Sequence, residues 1–294
     1  MDTEKCRALL KIIEEGSFSK AAELLGYTPS GLSRLVDSLE EDTGFSLLCR
    51  GRHGVLASRE CEMLMPLIKD FIRLDDIYRQ HCDAILGIDT GTVTVGTAYS
   101  LYYRWLSKVI AAFSQKYPGI EVRIKDGKST ELCKMIASHD MDFCIISKRE
   151  GRMAWHPLFE DPLVAVVSGA SDFAEVEHFD LIRLKTEPYI ETYPGQDTNN
   201  ARMFARNDIT PNVVFATEDT YASHRMVEAG LGISLSNYIE AREREDEKVR
   251  LKKLWPLQMV EIGIATPEDE KLSPAARTFK AFAMEYVDEL LEMR

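Results

Sequence analysis

Residues 16–36 read GSFSKAAELLGYTPSGLSRLV, two short helical segments separated by a glycine-containing turn. Gly16 closes whatever helix precedes it. Ser19 is a capping residue for a helix through Leu25, with Phe18 ahead of it as a hydrophobic staple. Gly26-Tyr27 form a tight turn. Thr28 is a second cap, and Pro29 takes the first helical position, where its missing N–H costs nothing. Leu32, Leu35, Val36 and Leu39 then recur at helical spacing, the apolar stripe of a third helix. Ser30, Ser33, Arg34 and Asp37 fall on its exposed side. Two helices joined in this way predict a helix-turn-helix, whose second helix enters the DNA major groove by its N-terminal residues.

The flanks extend this reading. A helix from about Thr3 to Glu15 precedes Gly16, with Leu9, Leu10, Ile12 and Ile13 on its apolar face. After Gly44 a short hairpin carries Arg50, Arg52 and His53 between Gly51 and Gly54, a basic wing suited to phosphate or a minor groove. Ser58 caps a long helix from about Arg59 to Leu86, ended by Gly87 and interrupted near its start by Pro66. Leu64, Leu67, Phe71, Leu74, Tyr78, His81 and Ile85 repeat along it as a heptad seam. A narrow apolar seam on a helix about 40 Å long needs a partner helix, so the sequence predicts a dimer.

From Gly91 the rhythm changes to strands alternating with helices. Val93–Gly96, Ile120–Ile124 and Phe143–Ile146 read as strands, with one helix from about Leu101 that ends before Pro118-Gly119 and another from a Ser129 cap to Ala137. A second unit holds strands at Leu163–Val167, Tyr189–Thr192, Val213–Ala216 and Ile233–Leu235, with helices near Asp197–Arg206 and Thr220–Ala229. Glu261–Ala265 is a further strand, Pro274 to about Leu291 a last helix, and Glu240–Lys253 a solvated charged surface. Such βαβ alternation predicts parallel sheets with ligands at strand carboxyl ends.

Composition excludes several classes. With 45% hydrophobic and 29% charged residues, 294 residues can build two or three cores, and a mainly disordered chain is ruled out. No apolar run of membrane-spanning length is present, so no membrane partner is expected, and the first residues lack the pattern of a secretory signal, which predicts a cytoplasmic protein. The net charge of −12 opposes nucleic-acid binding, but it is uneven: the first 60 residues carry only −2. The six cysteines lack C-x-x-C or His-rich spacing, so reduced thiols are expected, and no metal or cofactor. Neither G-x-S-x-G, H-E-x-x-H, a phosphate-binding P-loop nor G-x-G-x-x-G is present, so nothing nominates an enzyme.

The chain resembles the LysR-type transcriptional regulators. The likeness rests on Gly16 through Leu25, Thr28 through Ser33, Leu39-Glu40, Gly44 and Arg50. Tyr117-Pro118-Gly119-Ile120, Gly230-Leu231-Gly232-Ile233 and Leu272-Ser273-Pro274 follow in the family's order. Departures are Leu47-Leu48 before the wing arginine, Ala57-Ser58 and Cys61 at the linker start, and Gly31 in the recognition helix. The resemblance implies a mainly α winged helix-turn-helix domain (1–57), a long linker helix (58–88), and an α/β two-lobed effector domain (89–294) similar to periplasmic solute-binding proteins. Lobe I would comprise about 89–150 and 266–294, lobe II about 151–265, with crossings near Ser147–Met153 and Met259–Thr266. It implies double-stranded DNA, a small-molecule effector, dimers or tetramers, and RNA polymerase as partners. The family's peroxide-sensing cysteine pair has no counterpart, since residues 145–294 contain no cysteine.

The DNA-contact candidates are therefore Thr28, Pro29, Ser30, Ser33, Arg34, Arg50, Arg52 and His53, and the dimerisation candidates Leu64, Leu67, Phe71, Leu74, Tyr78 and Ile85. For the effector they are Ser100, Ser129 and Thr130 after strands of lobe I, Ser147 at the first crossing, and Thr192 and Thr220 in lobe II. Tyr99 and Tyr102 offer stacking for an aromatic ligand. Serines and threonines at helix starts are ordinarily only caps, which is the plainer account of Ser129 and Thr220. The competing function is a small-molecule-binding protein of the solute-binding fold that does not bind DNA.

Overall fold

The computed structural model describes residues 2–51, 54–87, 89–99 and 102–292, with side chains left out at 50, 51, 290 and 291. Contacts divide the chain into two compact units, Met1–Gly91 and Thr92–Arg294.

In the first unit, α1 (Thr3–Glu15), α2 (Phe18–Leu25) and α3 (Pro29–Thr43) are separated by Gly16 and Gly26, and α3 ends at Gly44, all three glycines left-handed. Thr28 caps α3 by accepting the Gly31 N–H at 3.0 Å. The start of α2 differs from expectation: Ser17, not Ser19, is the cap, accepting from the Lys20 N–H at 3.4 Å. The extended backbone of Ser17 starts the helix earlier, so Phe18 is its first residue and packs against the core directly. Leu9, Ile12, Leu32, Val36 and Leu39 fill that core.

The wing is an antiparallel hairpin, β1 (Leu48–Gly51) and β2 (Gly54–Ala57). It is fixed at both ends. The Glu40 carboxylate of α3 accepts the Leu47 and Leu48 N–H groups at 2.6 and 3.1 Å, and Val55 donates to Gly16 O at 2.9 Å. Gly54, at φ +111, approaches so closely that a Cβ there would lie 2.5 Å from Gly16 O. Ser58 caps α4 (Arg59–Ile85) by accepting the Cys61 N–H. Cys61, Ile68 and Ile72 anchor α4 in the core of this unit.

The second unit is an α/β structure with one strand shared between two sheet halves. Lobe I contains β3 (Gly91–Thr97), α5 (Tyr103–Lys116), β4 (Ile120–Asp126), α6 (Ser129–Ala137) and β5 (Phe143–Ser147), in strand order β4-β3-β5 with β3 and β5 parallel. Next comes β6 (Ala154–Ser168), fifteen residues long. Lobe II follows with β7 (His178–Asp180), β8 (Tyr189–Thr192), α7 (Asn199–Arg206), β9 (Val213–Thr217), α8 (Thr220–Glu228), β10 (Ser234–Asn237), α9 (Tyr238–Ala241) and β11 (Val249–Trp255). The chain returns through β12 (Met259–Thr266) to α10 (Pro274–Met284) and α11 (Val287–Leu291) in lobe I.

Three expectations are corrected. Residues 154–162 of β6 pair with β12 in the lobe I sheet, and residues 163–168 pair with β10 and β11 in lobe II. The first crossing therefore falls within β6 at Asp161–Leu163, not at Ser147–Met153, because a continuous strand carries its pairing across the junction. The charged run Glu240–Lys253 is not a plain surface: Ala241 and Val249 are buried, and β11 is a sheet strand. Its alternation of charged and apolar residues is that of a strand with one face out. The last helix is broken between Met284 and Val287; the expected start of the first helix at Leu101 lies outside the described residues.

Candidate functional site: a reading helix and a polar cleft

On α3, Thr28, Pro29, Ser30 and Arg34 are exposed and Ser33 is half-buried. Thr28 Oγ1 lies 3.2 Å from Ser30 Oγ, and Ser33 reaches Asp37 at 3.5 Å. Arg34 has no hydrogen bond or ion pair among the described residues, so its five donors face solvent. Leu32, Val36 and Leu39 on the opposite side are buried, which fixes the rotation of the helix. Arg50 lies on β1, its side chain outside the description, and Arg52 and His53 lie outside the described residues altogether.

The linker seam divides. Leu64 and Phe71 pack against the core of their own unit. Leu67, Leu74, Tyr78 and Ile85 are 63%, 56%, 68% and 84% exposed, an apolar stripe left open to solvent among the described residues.

In the second unit a cavity of about 130 Å³ opens between the lobes. Lobe I lines it with Tyr99, Lys128, Ser129 and Arg149; lobe II with Thr192, Tyr193, the Asp197–Asn200 turn, Thr220, Asn237 and Glu240. A hydrogen-bonded chain runs behind this surface. The Arg149 guanidinium, 8% exposed, donates to Thr130 Oγ1 at 3.0 Å, Ser147 Oγ at 2.7 Å, Lys148 O at 2.9 Å and Asn199 Oδ1 at 3.1 Å. Asn199 Nδ2 donates to Tyr99 Oη and Asn237 Oδ1, each at 3.0 Å, and Asn237 Nδ2 donates to Asp161 at 3.0 Å. Two amides thus align head to tail between a buried cation and a buried carboxylate, joining the lobes.

Burial sets the protonation of these groups. Desolvation lowers the Arg149 pKa, with no carboxylate bonded to it in compensation. Desolvation pushes Asp161 up to about 6 despite its bonds from Asn237 and the Ile239 N–H. At the cavity rim Arg202 grips Asp197 with two bonds and holds it down at about 2, while Thr130 donates to the same carboxylate at 2.7 Å across the lobes.

Ser129 is not the cap of α6. It is the first helical residue, and its hydroxyl accepts the Ser147 N–H at 3.1 Å. Thr220 is likewise one residue inside α8, whose cap is Asp219, and it lines the cavity with Thr192. Thr130 and Ser147 belong to the Arg149 network, Ser147 being fully buried. Tyr99 lines the cavity, but Tyr102 does not: it is fully buried, edge-to-face with Tyr99 and Phe159, so it cannot stack on a ligand. Ser100 lies outside the described residues. Sequence reading passed over Arg149, Asn199, Asn237 and Glu240. Only Arg149 left a trace, as a charge two residues past the buried strand FCIIS.

Among the described residues no cluster of ligating side chains could hold a metal, and no helix is long and apolar enough to cross a membrane. Residues 3–62 match the model of bacterial regulatory helix-turn-helix proteins of the lysR family, and residues 87–288 that of the LysR substrate binding domain. The uncharacterized HTH-type transcriptional regulator YybE of Bacillus subtilis is 26% identical over 92% of this chain and 94% of its own length. The transcriptional dual regulator GltC of the same organism is 26% identical over 99% of both chains. A full-length OxyR variant from Pseudomonas aeruginosa superimposes with a TM-score of 0.74 at 18% identity, covering 97% of this chain and 94% of that one. CbnR in complex with its target DNA gives 0.63 at 16% identity, covering 98% and 99%.

Proposed function

The chain belongs to the LysR family of DNA-binding transcriptional regulators with an effector-binding domain, and from that premise we propose that it reads its operator with Thr28, Ser30, Ser33 and Arg34 and responds to a small anionic effector between its lobes. The observation that carries the effector reading is Arg149, a buried guanidinium on the cavity wall whose bonds go only to neutral groups. The first turns of α6 and α7 add backbone N–H groups and positive dipole ends beside it. The wing residues Arg50, Arg52 and His53 complete the DNA surface by anchoring phosphate, and Pro29, which has no N–H to donate, adds apolar contact.

Leu67, Leu74, Tyr78 and Ile85 form the seam of a linker dimer, to which Leu64 and Phe71 contribute from the core side. The exposed strands β4 and β9, with Ile124 and Val213 to Phe215 half open, pair effector domains into a tetramer. The effector acts through unequal affinity for two lobe arrangements, which biases the DNA-reading dimers. Output at the promoter passes through RNA polymerase, in the cytoplasm, with no catalytic step and no cofactor.

The test is selection of bound fragments from a sheared genomic library by the purified full-length chain, followed by gel-shift titration of the enriched sequence. Enrichment of an interrupted inverted repeat is expected, with weaker binding by Arg34→Ala. Uniform recovery of all fragments overturns the proposal.

A further inference from the structure

We infer that the effector is a small amphoteric acid, an acidic group and a protonated amine on one molecule of about amino-acid size. The inference rests on the effector reading above and concerns the same cavity. The cavity of about 130 Å³ opens to solvent between the lobes. Its lining is mostly polar and charged, and Tyr102 is withdrawn into the core, which favours a compact charged metabolite over an aromatic acid held by stacking.

The wall carries both signs of charge. On the lobe I side are Arg149, with one Nη2 proton left over after its bonds, and Lys128, whose Nζ lies 4.7 Å from the Tyr193 ring centre. Asp197 faces the same space but is neutralised by Arg202. On the lobe II side is Glu240, half-buried at the start of α9. It accepts no hydrogen bond and makes no ion pair among the described residues. Burial raises its pKa, with only the more distant charge of Arg244 in partial relief. Behind it each oxygen of Asp161 already accepts a bond, one from Asn237 and one from the Ile239 N–H.

A cavity made for an anion alone would gain nothing from Glu240. The lone carboxylate repels a second one and remains desolvated without a partner. A ligand that places an acidic group at Arg149 and Lys128 and an ammonium group at Glu240 satisfies both ends. Glu240 then discriminates: it rejects the acid that lacks the amine, through repulsion as well as a lost bond.

The test is isothermal titration of the full-length protein with L-α-amino acids, each paired with the acid lacking its amino group, such as alanine with propionate and glutamate with glutarate. At least one amino acid is expected to bind about tenfold or more tighter than its partner, as the loss of one charge-assisted hydrogen bond gives. Glu240→Gln, similar in shape, is expected to bring the two within a few-fold while leaving the circular dichroism spectrum unchanged. Equal affinity of the paired compounds for the wild type overturns the inference and leaves an anionic effector standing. Absence of binding by both classes at millimolar concentration overturns it too, and genomic-fragment selection reports separately on the regulator reading. Retention of the preference by Glu240→Gln removes Glu240 as its source.

Discussion

The recognition helix and the cleft hold their polar side chains in opposite ways. On α3, Ser30 and Arg34 stand in solvent, and Arg34 is bound to nothing among the described residues. In the cleft, Arg149, Asn199, Asn237 and Asp161 are tied into one chain of bonds, and all but Asn199 are at most 8% exposed. A surface that must fit a hydrated duplex can leave its donors free, because water satisfies them until DNA arrives. A buried binding site cannot, since each orphaned group there costs about 1–3 kcal/mol. The first region is therefore cheap to alter and the second is coupled to folding.

Salt gives the widest separation. If the two reading heads of a dimer make six to ten phosphate contacts, DNA affinity should fall by roughly three to five decades between about 50 and 200 mM salt. Effector affinity, set by buried charges, should change far less over the same range. Equal salt dependence in titrations of both ligands would break the contrast.

Substitution of the two arginines sharpens it. Arg149→Met removes a donor from Thr130, Ser147 and Asn199, and is expected to abolish the effector response and destabilise the second unit by about 1–3 kcal/mol for an acceptor left unsatisfied, read by urea denaturation. Arg34→Ala is expected to cost about 1–3 kcal/mol of operator affinity in gel shifts. Its change in folding stability should stay within about 0.5 kcal/mol.

Asp161 adds a pH signature to the cleft. Folded Asp161 keeps its proton up to about 6, whereas the free side chain releases it near 3.8. The folded state thus binds more protons between those values, so this group's contribution falls as pH rises through that window and is constant above it. The shift corresponds to about 3 kcal/mol. Asp161→Asn should flatten that fall in denaturation curves taken from pH 4 to 7; an unchanged profile would show that Asp161 ionises freely.

The smallest effect concerns the start of α2. Ser17→Ala should cost about 1 kcal/mol, the usual loss for a helix cap, whereas Ser19→Ala, at the second helical residue, should be close to neutral. Thermal melting of both variants decides between the two serines.

The two regions also differ in how much of them could be read in advance. The α3 reader depends on neighbours in sequence: Thr28 caps Gly31, Pro29 fixes the first turn, and the apolar stripe repeats every three or four residues. The same locality made the strands and helices of the second unit legible. The Ser17 cap was missed because two serines flank one phenylalanine and propensity does not choose between them. The cleft depends on bonds between residues far apart in the chain, such as Tyr99 with Asn199 and Asp161 with Asn237. No local pattern marks an asparagine that will meet an arginine fifty positions away. The position of Tyr102 in the core behind the cavity-lining Tyr99 was equally hidden, because aromatic residues three positions apart carry no sign of which one the core will take.

The shared strand β6 has a mechanical corollary. Because one uninterrupted ribbon, backed by β12, runs through both sheets, the lobes cannot slide or swing freely as they would on a floppy tether. Any rocking has to twist β6 itself, whose first part is held by β12 and whose second part is held by β10 and β11.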